Sequence, residues 1–134
     1  MLIARYQAGN ETHYGSLEGE TLRRLSGDLF GKLTPTGRSD ALRDVKLLSP
    51  VDPPRIFGAG LNYISHIEEM KLKRPVIPLL FMKPPTAVIG PNEAIVYPRA
   101  DKELEVHYEG ELVVVMGRKV RRISEADALG AVLG

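Results

Sequence analysis

A chain of 134 residues with 18 basic and 17 acidic side chains carries a net charge of +1, which leaves no electrostatic footprint for DNA, RNA or an anionic lipid surface. It has no cysteine, so neither a disulfide framework nor a thiolate nucleophile is available, and the absence fits a reducing compartment. The opening MLIARYQAGNE lacks the apolar core of a signal sequence, and apolar runs such as LLFM (79–82) are far too short to span a bilayer. The expected location is the cytoplasm, with no membrane or nucleic-acid partner.

Residues 1–49 alternate short strand-like runs, LIARY, YGSLEG and TLRRL, with turn signals at Ala8–Asn10, Gly19 and Gly27. This predicts a small β-rich unit, and no constellation of chemically active residues stands out in it. The segment LLSPVDPPRI, with Pro50, Pro53 and Pro54, predicts a stiff extended connector, so a domain of residues 1–49 is expected to precede a second unit, 50–134. RIFGAG then reads as a short buried strand. Apolar positions at Tyr63, Ile67 and Met70 have helical spacing over 62–72, with the two glycines of GAGLNY permitting a tight turn from strand to helix. A third glycine and a later acidic residue, which a dinucleotide-binding turn requires, are missing. The proline-rich strand and turn region RPVIPLLFMKPPTAVIGPNEAIVYP follows. Next comes a long strand, Glu105 to Met116, and finally a short helix opened by Ser124 with Asp127 three residues on, as in a capping box. The basic run GRKVRR (117–122) reads as a solvated strand end.

Two places carry candidate chemistry. His66 and Glu69 are three apart and share a helix face; a carboxylate beside an imidazole orients it and stabilises its protonated form, which suits histidine to take a proton near neutral pH. The competing reading is a solvated helix face, with Ser65 and Glu68 forming a displaced capping box. In the long strand, Val106, Tyr108, Gly110, Leu112, Val114 and Met116 fall on one apolar face, while Glu105, His107, Glu109 and Glu111 share the other with Val113 and Val115. Glu109 and Glu111 would stand roughly 6.6 Å apart at Cβ. If half buried they would repel by roughly 2.5 kcal/mol at an effective dielectric of about 20, a cost that a divalent cation reverses. Carboxylate oxygens favour Mg, Mn or Ca over zinc. The competing reading is an outward charged face paired with lysines of a neighbouring strand.

The ordered set GLNYISHIEEM (60–70), LLFMKPPTAVIGP (79–91), VHYEGELVVVMG (106–117) and SEADAL (124–129) resembles the fumarylacetoacetate hydrolase family. Within it, the set is similar to the branch of acylpyruvate hydrolases and 2-hydroxyhepta-2,4-diene-1,7-dioate isomerases. The resemblance implies a β-rich α+β fold, in which a small N-terminal β-rich unit is followed by the start of a mixed β-roll. It also implies that Glu109 and Glu111 are ligands of Mg or Mn, that His66 is a base oriented by Glu69, and that Lys83 in FMKPPT favours an anionic substrate, the competing reading of Lys83 being a solvated strand end. The implied substrate is a small 2-oxo acid. The implied reaction is hydrolysis of a carbon–carbon bond, with isomerisation or decarboxylation of an unsaturated dioate, or a non-catalytic binding or assembly role, as alternatives. The full-length form is expected to be a homodimer. A third carboxylate ligand in the family follows the helix that SEADAL begins, beyond Gly134, so the roll and the metal site are expected to be incomplete in this chain as given.

Overall fold

The computed structural model describes residues 1–53, 55–97 and 106–134. The first 47 residues build a five-stranded antiparallel sheet from β1 (Ile3–Ala8), β2 (Glu11–Glu18), β3 (Thr21–Gly27), β4 (Leu33–Ala41) and β5 (Lys46–Leu47), in the order β4-β3-β2-β1-β5. Gly9 and Gly19 sit at φ +60° and +58°, opening the two-residue turns that join β1 to β2 and β2 to β3. These turns need positive φ to match the twist of their strands. β4, absent from the sequence reading, pairs with β3 across a register shift between Arg23 and Leu25.

The core of this sheet is part polar. Tyr6 and Leu22 are fully buried, and Gly15 of β2 leaves room for the Tyr6 ring, whose Cε1 lies 3.0 Å from where a Cβ would stand. The Tyr6 hydroxyl donates to Asp40 Oδ2 at 2.7 Å, and Arg24 clasps the same carboxylate with Nε at 2.6 Å and Nη2 at 2.7 Å. The sequence reading placed no constellation here; Tyr6 and Arg24 lie 34 and 16 residues from Asp40 and meet only through strand pairing.

The hydrogen bonds from Arg24 hold the Asp40 carboxyl down at about 2, with the Tyr6 hydroxyl adding to the effect against the opposing cost of burial. Burial, and then the hydrogen bond to Asp40, push Tyr6 up to about 12. A carboxyl with a depressed folded-state value contributes stability above its ordinary value near 4, and that stability is lost as the pH falls toward 2. We therefore expect wild-type protein to weaken over that window and Asp40→Asn to flatten this acid limb. At neutral pH the variant should lose about 2 kcal/mol, within the range for hydrogen bonds to charged groups. Urea midpoints measured from pH 7 to pH 2 test this, and superimposable acid limbs would count against it.

Past the connector, β6 (Ile56–Gly60) and β7 (Leu79–Lys83) form an antiparallel ribbon, Gly58 opposite Phe81. Two expectations change here. The first is that β6 is buried, whereas Phe57 is 62% exposed and every residue of β7 is exposed. The second is that the glycines make the turn, whereas Gly58 and Gly60 lie within β6 and the left-handed residue is Leu61, at φ +51°. The glycines serve close approach instead: a Cβ at Gly58 would clash with the Phe81 ring, 2.3 Å from its Cζ, and one at Gly60 would lie 3.1 Å from Leu79 Cδ2.

Helix α1 (Ile64–Glu69) follows, shorter than the spacing predicts, and of the three apolar positions only Ile67 is buried. Helix α2 (Glu125–Ala128) starts as its sequence predicts: the Asp127 N–H donates to Ser124 Oγ at 3.2 Å, capping the first turn.

The long strand is also corrected. Glu105 lies outside the described residues. Val106–Val115 form no ladder, and pairing is confined to the end of the segment, where Met116 bridges Val132, and Val115 and Gly117 bond main-chain groups of residues 131–134. A strand is held by its neighbour's hydrogen bonds rather than by local ones. With no partner backbone beside 106–114 among the described residues, alternation alone cannot create one. Tyr108, Leu112 and Val113 are consequently open to solvent.

The five-stranded sheet meets the later residues through Lys46 of β5, whose Nζ lies 2.5 Å from Glu93 Oε1. Glu93 Oε2 accepts the Gly90 N–H at 2.8 Å. The Lys46 hydrogen bond, then that of Gly90, hold the Glu93 carboxyl below its ordinary range. The architecture is a β-rich α+β fold. No helix among the described residues is long and apolar enough to cross a membrane.

Candidate functional site

The sharp turn at Leu61 leads the chain from β6 into α1 and sets Tyr63 at the N-cap. The Tyr63 carbonyl accepts the Ile67 N–H at 3.1 Å, but its side chain makes no capping bond. Ser65 lies inside the helix, so Ser65 and Glu68 do not form the capping box that was the alternative for this segment. The helix turn then brings His66 Nδ1 to 3.7 Å from Glu69 Oε2. That is ion-pair range for a protonated imidazole, though longer than a hydrogen bond. The side chains are 49% and 79% exposed, so the pair is accessible to a ligand and to water.

Glu109 and Glu111 are both exposed, and neither forms an ion pair among the described residues. The lysine-paired face that was their alternative is therefore not what surrounds them here. His107 lies in the same exposed segment. Two uncompensated carboxylates two residues apart are hard oxygen donors of the type that Mg or Mn takes, so the donor chemistry fits such an ion. No group of three or more His, Asp or Glu side chains that could hold a metal occurs among the described residues. Coordination by Glu109 and Glu111 would thus have to be completed by other oxygens.

A direct hydrogen bond joins the two motifs. The main-chain N–H of Leu112, next to Glu111, donates to the Tyr63 hydroxyl oxygen at 3.0 Å, across 49 residues of sequence. It links the carboxylate segment to the start of the helix that carries His66 and Glu69. Sequence reading took Tyr63 for an apolar helix position. Nothing local in the sequence marks its hydroxyl for this role, because the partner lies 49 residues away.

Lys83 ends β7 opposite Ile56. Its Nζ lies 5.9 Å from the Phe81 ring centroid, within range of a cation–π contact, and it makes no ion pair with the other candidate residues. A hollow of about 250 Å³ opens beside α1, lined by Leu61, Asn62, Ile64, Ile67 and Arg74 among others, but not by His66 or Glu69. A wider, open hollow of about 530 Å³ lies against the basic run, at Arg118, Lys119 and Arg121.

The sequence profile described as Fumarylacetoacetate (FAA) hydrolase C-terminal matches residues 55–134, and one described as Rv2993c-like, N-terminal, matches residues 1–50. The chain is 38% identical to Protein Rv2993c of Mycobacterium tuberculosis, over 100% of this chain and 52% of that protein. It is 44% identical to the homoprotocatechuate catabolism bifunctional isomerase/decarboxylase of Escherichia coli, over 59% of this chain and 18% of the relative. Among solved structures, the 5-carboxymethyl-2-hydroxymuconate delta-isomerase of Mycobacterium smegmatis superposes with a TM-score of 0.86 at 36% identity, covering 100% of this chain and 52% of that one. The 2-hydroxyhepta-2,4-diene-1,7-dioate isomerase of Mycobacterium marinum gives 0.82 at 35%, covering 98% and 50%. The chain spans about half the length of the full-length relatives that it matches from end to end. The order of motifs, the strand-rich architecture and these matches agree: the chain belongs to the fumarylacetoacetate hydrolase family.

Proposed function

We propose that this chain carries the N-terminal part of the active site of a divalent-metal-dependent enzyme acting on small 2-oxo acids, with hydrolysis of a carbon–carbon bond in an acylpyruvate-like substrate as its reaction. The observation that carries the reading is the His66–Glu69 pair, 3.7 Å apart, on a helix joined to the Glu109–Glu111 segment through Tyr63. On this reading residues 1–49 are a small N-terminal domain and residues 50–134 begin the catalytic domain. The resemblance further supports a cytoplasmic homodimer in full-length form, with a small-molecule substrate and no nucleic-acid or membrane partner.

In this mechanism His66 takes a proton from water, and Glu69 steadies the imidazolium that results. The hydroxide so formed adds to the distal carbonyl carbon. The bond between that carbon and its neighbour breaks, and the electron pair passes to the departing 2-oxo acid as its enolate, which is then protonated. Glu109 and Glu111 would hold Mg or Mn, whose contribution when bound is Lewis-acid polarisation of the substrate's oxygens. Lys83 is the candidate for attracting the substrate's negative charge.

The names of the Escherichia coli and mycobacterial relatives favour a second reading, isomerisation or decarboxylation of an unsaturated dioate by the same residues. The two are separated by incubating full-length protein and Mn with an acylpyruvate, and separately with 2-hydroxyhepta-2,4-diene-1,7-dioate. Pyruvate release from the first substrate, abolished by a chelator, is the expected result. Ultraviolet spectral change with the second alone would replace hydrolysis by isomerisation, and turnover of neither would return the chain to a binding or assembly role.

A further inference from the structure

The structure assigns Tyr63 as a positioning residue that holds the carboxylate segment to the base-bearing helix. The assignment rests on the metal reading of Glu109 and Glu111 given above. Residues 106–114 have no strand ladder among the described residues, so side-chain ties rather than a ladder fix the position of this segment. The Leu112 N–H that donates to the Tyr63 hydroxyl belongs to the residue directly after Glu111. Fixing that amide restrains the main chain that carries the Glu111 side chain. The other end of the tie is equally well placed: Tyr63 is the N-cap residue of α1, and its own carbonyl starts the helix by accepting the Ile67 N–H. One residue thus sets the helix origin with its main chain and the carboxylate segment with its side chain. Two carboxylates converge on a single ion only if their backbones are held at the right separation and orientation, because first-sphere ligands depend on the groups that orient them.

The bond is also a weak contributor to folding. Tyr63 is 40% and Leu112 82% exposed, so water replaces the lost partner when the hydroxyl is removed, and phenylalanine retains the ring. Tyr63→Phe should therefore separate positioning from stability.

The test is Mn titration of the metal-free full-length protein by calorimetry, with the bound-Mn electron paramagnetic resonance spectrum and the metal-free melting temperature recorded for wild type, Tyr63→Phe and Glu111→Gln. Tyr63→Phe is expected to weaken Mn binding about tenfold, the scale of one net hydrogen bond, and to broaden the Mn spectrum while leaving the melting temperature in place. If Glu111→Gln loses Mn but Tyr63→Phe binds it as wild type does, the positioning role is overturned and the metal reading stands. If Glu111→Gln also binds Mn normally, the metal reading falls and takes this assignment with it. A Tyr63→Phe protein that melts early in proportion to its loss of Mn overturns positioning in favour of a purely structural tie.

Discussion

His66→Ala in full-length protein is expected to lower kcat by roughly 10² to 10⁴, the range for loss of a general base, with metal affinity and melting temperature nearly unchanged. The stability arm follows from exposure. The imidazole is about half open to solvent, so truncating it leaves no buried cavity, and its contact with Glu69 is a surface ion pair of the kind that contributes little to folding. Glu69→Gln should lower kcat by less, because the imidazole remains and loses only the neighbour that orients it. Ser65→Ala is the internal control. Ser65 lies within α1 and caps nothing, so its removal should leave both rate and melting temperature where they are. The measurement is kcat and thermal midpoint for the three variants against an acylpyruvate with Mg present. A His66→Ala enzyme within about twofold of wild-type kcat, far short of the general-base range, would remove His66 from the mechanism.

How much of this was legible in the sequence depends on the range of the interaction. The pairing of His66 with Glu69 is local, set by the helix repeat, and could be read from a spacing of three. The Ser124 cap of α2 and the glycine turns at Gly9 and Gly19 are local too. What escaped was set by distant backbone. Strand β4 contains Pro35 and Gly37, which weaken any strand pattern, and it forms because β3 offers it a ladder. Nothing in the sequence singles out Asp40, which gains its role only where the sheet brings Arg24 and Tyr6 to it. Alternation in 106–116 was read as a strand, yet it specifies only which face would be apolar if a partner were present. The glycines of β6 were visible, but their purpose was not: flexibility at a turn and clearance for a facing ring require the same residue. The family resemblance succeeded where local reasoning stopped, because an ordered set of motifs carries the long-range pairing that no single motif contains.

Glu109→Gln and Glu111→Gln should each cost full-length protein more Mn affinity than the roughly 10- to 100-fold typical of losing an outer-shell partner, and the double variant should bind Mn negligibly. Glutamine preserves side-chain length and one acceptor oxygen, so the change isolates the charge and the second oxygen that a hard cation requires. Both carboxylates are exposed and without an ion-pair partner among the described residues, so in metal-free protein their mutual repulsion is largely screened by water. Either substitution should then leave the metal-free melting temperature unchanged or slightly raised. The contrast appears on adding metal. A ligand that binds only the folded state stabilises it by RT ln(1 + [L]/Kd), about 2.7 kcal/mol at a free concentration 100 times its Kd. Wild-type protein should therefore melt later as Mn is added, and the variants should not. Turnover should fall with the same order of effect, double variant lowest. Calorimetric titration and melting with and without Mn decide the matter together. Variants that bind Mn with wild-type affinity and retain its thermal shift would make Glu109 and Glu111 ordinary solvated charges, and the search for the metal would move to other residues.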